Sequence, residues 1–515
     1  MRRFPPALLV GAFLFALAVP LPAVAAPSGI PSDFNGDGYA DQAIGSPGEG
    51  LGGHGAAGSV TILYGSSSGL SSTGAMRLTA GSPGVAGATG KGFRLGQSIA
   101  AGDFNGDGYS DLAVGSPGES AGALVAAGAV HVFYGSASGI VTAGNQRWTL
   151  NSTGVAGKAA AGDRLGSSLA VGDLNADARA DLVIGAPFKA VNGNLRAGAI
   201  AILSGSGSGL VAGGSKFATE GSLKVLHGSQ AGERFGTAVA VGDFDNSGHD
   251  QVVIGSPFES IGGKSGAGSV TVAHGDLSAR KAWSEATLGL IGDPNAGDHF
   301  GQALAVGDMD GNGRDDLAVG EPGWPRDPNT QGAGGVRVIY GRLKGLKAAG
   351  NQFWNQDSSG LTGHAEANDH WGAALSSGDY DNNGKDDLAI GAPLDDRGVP
   401  HSGLIQLIYG GAGGLGTAAD KQFLQDFSGM PDPIQPGNLF GYSLASHDFD
   451  GDGATDLAVG AYGQGVNSNS GAGAVTELFG SVPDGITTGQ SASFKQGVAG
   501  VPATAKRNAH FALVG

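Results

Sequence analysis

The 515-residue sequence contains no cysteine. That absence removes disulfides, catalytic thiolates and a lipid-modified N-terminal cysteine together. Positive charge is scarce too: 29 Lys and Arg stand against 46 Asp and Glu, giving a formal net charge of −17. Such a balance argues against nucleic acid or an anionic membrane as partner. After residue 26 no segment is long and apolar enough to span a bilayer. There is no long helical periodicity and no RGD tripeptide, and the 99 glycines follow no triplet period, which excludes collagen.

What is present begins with MRRFPPALLVGAFLFALAVPLPAVAA, residues 1–26. A basic start, a short apolar core broken by Pro20 and Pro22, and an Ala23-Val24-Ala25 ending predict a secretory signal cleaved near Ala25 or Ala26. An exported chain without disulfides needs another source of stability, and metal is the candidate.

The stretch DFNGDGYADQAIGSP at 33–47 returns as DFNGDGYSDLAVGSP at 103–117. Its first aspartate recurs at Asp33, Asp103, Asp173, Asp243, Asp308, Asp379 and Asp448, with spacings of 70, 70, 70, 65, 71 and 69. Each period carries an apolar strand, the acidic loop, a strand such as DLAVG and a glycine-rich loop. A third strand, a Ser/Gly turn and an aromatic segment follow. Four short strands cannot bury two faces alone, so the repeats are expected to stack side by side. The fold predicted is all-β, a seven-bladed β-propeller of four-stranded antiparallel blades occupying residues 27–515 as a single domain. The first acidic loop lacks the preceding strand, and HFALVG at 510–515 is expected to supply it, closing the ring without an open edge.

The loop pattern is D-x-[DN]-x-[DN]-G-x-x-D, in which side-chain oxygens at positions 1, 3, 5 and 9 can converge around a hard cation such as Ca²⁺. An EF-hand is excluded, because position 12 is Ile44, Val114 or Val459, inside a strand, where that loop needs a bidentate Glu. Positions 1, 3, 5 and 9 of the seven loops hold 21 of the 46 acidic residues, which would repel one another without a cation. Asp448, Asp450, Asp452 and Asp456 make the richest set. Three carboxylates and one Asn stand in Asp33/Asn35/Asp37/Asp41, Asp103/Asn105/Asp107/Asp111, Asp308/Asp310/Asn312/Asp316 and Asp379/Asp381/Asn383/Asp387. The set Asp173/Asn175/Asp177/Asp181 is weakened by Ala178 where glycine is wanted, and Asp243/Asp245/Ser247, with Gln251 at position 9, is the poorest.

Antiparallel alternation puts the acidic loops on one face and the longer loops after the second strand on the other. Those longer loops offer Trp324 and Arg326 in one copy and Asp396, Arg397 and His401 in another, as candidate ligand contacts. A catalytic alternative, the G-x-S-x-G match at Gly65–Gly69, reads as a hairpin turn, because GSASG and GSGSG in the next copies lack its central Ser and no helix follows. No nucleophile and base pair is evident.

The residues that recur with each acidic loop carry a resemblance. Phe235-Gly236, Phe300-Gly301, Trp371-Gly372 and Phe440-Gly441, with Leu95-Gly96 and Leu165-Gly166 as variants, precede it. Gly185-Ala186-Pro187 and Gly391-Ala392-Pro393 follow it, with GSP at 45, 115 and 255, GEP at 320 and GAY at 460. The chain resembles the FG-GAP repeats of the integrin α-subunit N-terminal propeller. The resemblance implies Ca²⁺ in the hairpin loops, up to seven ions, and adhesion or binding of an extracellular protein or glycan by a secreted, monomeric module. It departs from integrins in carrying acidic loops in all seven blades. A lectin-like module is one alternative, since aromatic and carboxylate groups on one face could stack on and hydrogen-bond a sugar. An esterase or phospholipase is another, since FG-GAP repeats also accompany hydrolase activity in the C-terminal part of GPI-specific phospholipase D.

Overall fold

The computed structural model describes residues 30–514, apart from residues 279, 328 and 329. The expected signal segment and Gly515 lie outside the described residues. Seven four-stranded antiparallel sheets follow one another along the chain. They are numbered here as blades 1 to 7, spanning 42–78, 99–148, 169–218, 239–283, 303–354, 374–423 and 440–494. Among the described residues there is one helix, the single turn Glu220–Leu223 between blades 3 and 4.

Blade 2 illustrates the plan. Ile99–Gly102 lies innermost, Asp111–Ser116 and Ala129–Tyr134 form the middle, and Val141–Trp148 is the outer edge. The middle strands are buried along almost their whole length, which is why Leu112, Ala113 and Val114 run on as consecutive apolar residues rather than alternating with polar ones. Inner strands of successive blades touch from blade 2 round to Leu513–Val514, and Gln42–Gly45 of blade 1 touches the inner strand of blade 2. Seven clusters of buried apolar side chains lie between blades, one at each junction: Phe104, Val130 and Leu203 of blades 2 and 3 share one, and Phe244, Trp283 and Val319 of blades 4 and 5 another.

The FG and GAP motifs interlock at these junctions. Gly320 of the GAP element in blade 5 lies so close to blade 6 that a Cβ there would stand 2.2 Å from the carbonyl oxygen of Gly372. The FG glycine that presents this oxygen has φ +87, a conformation open to glycine without strain. Equivalent approaches of 2.0–2.3 Å recur at Gly45, Gly115, Gly185, Gly255, Gly391 and Gly460. The two motifs recur together because each is the other's steric partner across a blade boundary.

Closure follows the expected route. Leu513–Val514 joins blade 1 as its innermost strand, pairing Val514 with Ile44 and Leu513 with Gly45. Phe511 is fully buried, and its N–H donates to the Ala472 carbonyl as the Leu95 N–H donates to that of Ala57. The 65-residue spacing also has a structural cause. Blade 4 has an outer strand of three residues, Lys281–Trp283, where Val211–Ala218 of blade 3 has eight.

Gly320→Ala is expected to lose roughly 1–3 kcal/mol of stability, because the added methyl has backbone on its far side and no flexible side chain to displace. Chemical denaturation of the two proteins measures it, and an unchanged midpoint would contradict the interlock.

Candidate metal centre

In all seven loops the carboxylate at position 1 accepts the backbone N–H of position 6, at 2.7–3.0 Å: Asp33 from Gly38, Asp103 from Gly108, Asp173 from Ala178, Asp243 from Gly248, Asp308 from Gly313, Asp379 from Gly384 and Asp448 from Gly453. This closes the loop on itself. The aspartate at position 9 ties the loop to the rest of its blade. One Asp41 oxygen accepts from the Phe34 N–H (2.8 Å) and the other from the Gly65 N–H (2.9 Å), where the third strand turns outward. Asp111, Asp181, Asp316, Asp387 and Asp456 do the same. In blade 4 the oxygen of Gln251 accepts from the Phe244 N–H alone of these two donors.

These position-9 carboxyls are buried, and burial pushes Asp41, Asp111, Asp387 and Asp456 up to about 8, Asp316 to about 7 and Asp181 to about 6. The N–H donors pull them down, and the other aspartates of each loop push them up again. A cation beside them would reverse the balance.

The structure brings positions 1, 3 and 9 together in three blades. Carboxylate oxygens of Asp308, Asp310 and Asp316 lie within 4.8 Å of one another, as do those of Asp379, Asp381 and Asp387 and those of Asp448, Asp450 and Asp456. Position 5, expected among the ligands, varies: in blade 5 the Asn312 amide donates to Asp310 of the trio, and in blade 7 Asp452 is not among the three converging carboxylates. Asp452 accepts from the Ala454 N–H, and Asp37 and Asp107 accept from Tyr39 and Tyr109 in the same way.

Asp177, expected to join Asp173, Asn175 and Asp181 around an ion, has an exposed side chain in the turn of the loop. There one carboxylate oxygen accepts the Arg179 N–H at 3.0 Å and the other lies 4.0 Å from the Arg179 guanidinium. The cause is local: positions 5 to 7 form a tight turn in which a short acidic side chain caps the N–H two residues on, and an arginine at position 7 adds its charge to that arrangement. The backbone N–H of Asp177 donates to Asp173 at 3.1 Å.

The remaining positions vary by blade. In blades 1 and 2 position 3 is an amide, and Asn35 and Asn105 donate to Asp37 and Asp107. In blade 3 Asn175 donates to Asp181, and in blade 4 the Ser247 hydroxyl bonds within its own turn. Asp245 accepts from Gln251 at 3.4 Å. In blades 5 and 6 Asn312 and Asn383 donate their backbone N–H groups to Asp308 and Asp379. The donors are all hard oxygens, and in blades 5, 6 and 7 they converge, so these residues fit Ca²⁺.

Three features escaped the sequence. Arg342, from the turn after the third strand of blade 5, donates to Asp310 at 2.8 Å, a resident cation beside one trio. Position 4 is left-handed in every loop, including Ala176, Asn246 and Asn382, so each loop needs two such residues rather than one. The loops are also bonded to each other. The position-8 N–H of each donates to the position-1 carbonyl of the blade before, from Ser110 to Asp33 (3.0 Å) onward to Thr455 with Asp379 (2.9 Å), and Ala40 with Asp448 (3.1 Å) completes the circle. Asp250, Asp315 and Asp386 add side-chain acceptors for the N–H groups of Asp173, Asp243 and Asp308.

On the opposite face the expected contact residues are engaged within the protein. Trp324 packs edge-on against Phe353, and Arg326 pairs with Asp357 at 2.7 Å. Arg397 reaches Asp395 at 3.5 Å, and Asp396 accepts the His401 N–H at 2.8 Å. That face also gathers cations that are scattered in sequence. Arg164 and Arg234 stand over the Phe188 ring at 4.4 and 5.1 Å, and with Arg94 and Lys91 they line a cleft of about 580 Å³. Ser67, centre of the G-x-S-x-G match, is exposed in a turn between two strands.

The FG-GAP repeat family matches residues 25–63, 95–133, 165–203, 300–339, 371–408 and 440–478. These spans are six of the seven repeats, and the remaining one is blade 4, with its poorest loop and shortened edge. The protein is an FG-GAP repeat propeller of the integrin-alpha-like type. Integrin alpha-PS2 of Drosophila melanogaster is 31% identical over 232 residues, 44% of this chain and 15% of that protein. Integrin alpha-5 of Xenopus laevis is 31% identical over 234 residues, 44% and 20%. Phosphatidylinositol-glycan-specific phospholipase D of Rattus norvegicus is 34% identical over 226 residues, 44% and 24%. The chain thus spans at most about a quarter of the length of these relatives. Among solved structures, the exotype rhamnogalacturonan lyase YesX aligns at a TM-score of 0.32 and 12% identity, over 77% of this chain and 65% of that one, too loosely to bear on function.

Ala176 and Ala178 have φ of +56 and +62 in the blade 3 loop. Ala178→Gly and Ala176→Gly should each stabilise the protein by about 1 kcal/mol, by relieving left-handed strain. Thermal melting checks this, with Ala180→Gly on the same loop as the control expected to destabilise.

Proposed function

We propose that the protein is a secreted calcium-binding FG-GAP propeller that acts as an adhesion or extracellular ligand-binding module. The convergence of three aspartates in each of the loops of blades 5, 6 and 7 carries the calcium part of this reading. Asp308, Asp310 and Asp316, and their counterparts, would hold the ions, with Asn312 and Asn383 beside two of the trios. The ion would supply the positive charge that buried carboxyls lack. The loops of blades 1 and 2 are further candidates, and those at Asp173 and Asp243 are the weakest. Export rests on residues 1–26, and no helix among the described residues is long and apolar enough to cross a membrane.

Binding is assigned to the face opposite the calcium loops. The arginine-lined cleft beside Phe188 supports an acidic ligand, protein or glycan, because it concentrates cations on a protein of net charge −17. Trp324, Arg326, Asp396, Arg397 and His401 extend that face. Similarity to integrin α subunits favours adhesion over hydrolysis, although the phospholipase D relatives keep a hydrolase as the second reading.

Calcium should stabilise the fold. At ten times its dissociation constant, each ion bound only by the folded state contributes about 1.4 kcal/mol. Calorimetric melting should therefore fall by many degrees in chelator, and Asp450→Ala should reduce bound Ca²⁺ and the calcium-dependent part of the melting temperature, whereas Ser247→Ala should alter neither. A melting temperature indifferent to chelator, with no titratable calcium, would reduce these loops to hairpin turns.

For the binding face, the labelled protein should bind saturably to an acidic member of a glycan array or a panel of immobilised matrix proteins. Arg164→Ala with Arg234→Ala should weaken that binding at least tenfold and flatten its salt dependence, and Asn383→Ala should not. Equal indifference of both faces would refute the assignment.

A further inference from the structure

The chain turns inward after the outer strand of each blade, and the same three places meet at every junction: one in that turn, one just before the FG element, and one in the GAP loop of the next blade. At six junctions the acidic groups that meet are joined by a Lys or Arg, or the set is neutral. At the junction of blades 7 and 1, Glu49 meets Arg77 (2.6 Å) and Lys506 (3.2 Å). Between blades 1 and 2, Glu119 meets Arg147 (2.6 Å) and His131 (2.8 Å). Between blades 2 and 3, Asp163 meets Lys189 (2.8 Å). Arg337 sits between Glu285 and Glu321 at the junction of blades 4 and 5, and Arg397 beside Asp395 at the next. Between blades 6 and 7 the set is neutral, Gln425 bonding Gln464 and Asn438.

The junction of blades 3 and 4 is different. Glu220, Glu233 and Glu259 are all buried, at 0, 4 and 0% exposure, with carboxylate oxygens within 4.8 Å of one another. No Lys or Arg pairs with any of them among the described residues; His227, mostly exposed, approaches Glu259 at 3.3 Å. One Glu233 oxygen accepts the Gln230 N–H. Both Glu220 oxygens and one Glu259 oxygen are buried without a hydrogen-bond donor. The place held by Arg337 one blade further on is Thr271, by strand register, and its hydroxyl is also buried and unpartnered. Glu233 and Glu259 open onto a cleft of about 820 Å³ that also reaches His227 and His299, giving an ion a way in.

We infer that Glu220, Glu233 and Glu259 form a divalent-cation site of the Ca²⁺ class, on the face opposite the hairpin loops, where the bound ion takes the place that Arg337 fills at the next junction. Three buried carboxylates and an unpartnered hydroxyl are hard oxygen donors, and three negative charges in a buried space require a counter-charge. Burial first, and then the neighbouring carboxylates, push Glu220 and Glu259 well above the usual carboxylate range when no ion is present.

The test counts calcium ions bound to the full chain at saturation, by equilibrium dialysis and elemental analysis. Glu220→Gln with Glu259→Gln should bind one ion fewer than the parent, and should melt at the same temperature or higher in chelator because repulsion is relieved. Thr271→Arg, which brings the neighbouring junction's own cation, should also lose one ion. Asp450→Ala reports separately on the hairpin loops, so a failure there leaves this site independently measurable. An unchanged ion count in both the glutamine and arginine variants would overturn the inference, and would leave a cluster that shares protons instead.

Discussion

Each apolar cluster of the ring is shared between two blades, so a blade taken alone has no core. This one constraint sets most of the rest. A blade's middle strands are apolar on both faces because both faces meet neighbours. The ring has to close, since an unclosed one would leave half a core exposed at each end. Glycine is needed at the boundaries because backbone there meets backbone, with about 2 Å left for a Cβ at Gly320 and its equivalents. Stability in such a ring is held by interfaces, and the weakest interface governs the whole.

The acidic loops belong to this scheme as much as to any ion. Position 1 folds the loop by accepting its own N–H groups, and position 9 anchors it to the third strand. The backbone bonds from each loop to the one before run through all seven blades. Folding therefore brings the carboxylates together before any cation arrives, and the repulsion is stored at the rim. A cation bound there would act on two blades at once, since each loop is bonded to its neighbour.

Much of this was legible in the sequence because the period is written in chemically unusual residues. Seven aspartates at spacings near 70 set the blade count, and the strand missing before Asp33 located the closing strand at the other end. Local pattern also marked Ala178 and the poor loop at Asp243. What stayed hidden depends on distance in the chain. Arg342 lies 32 residues from Asp310, and the glutamates of the blade 3–4 junction come from three separate segments, each ordinary on its own. Position 5 was expected with the other ligands. In the structure Asp452, Asp37, Asp107 and Asp177 each accept the N–H two residues on, a backbone preference that the ligand pattern does not record.

The closing strand is the ring's clasp, and it is short. Only two residue pairs, Ile44 with Val514 and Gly45 with Leu513, join it to blade 1. A pull applied between residues 30 and 514 would load those pairs and the buried Phe511 before it strained any other blade, because the remaining sheets are each built from one unbroken stretch of chain. Mechanically, the molecule is a belt that opens at its buckle: the first event under tension is loss of the ring's circular form, with six complete sheets still standing.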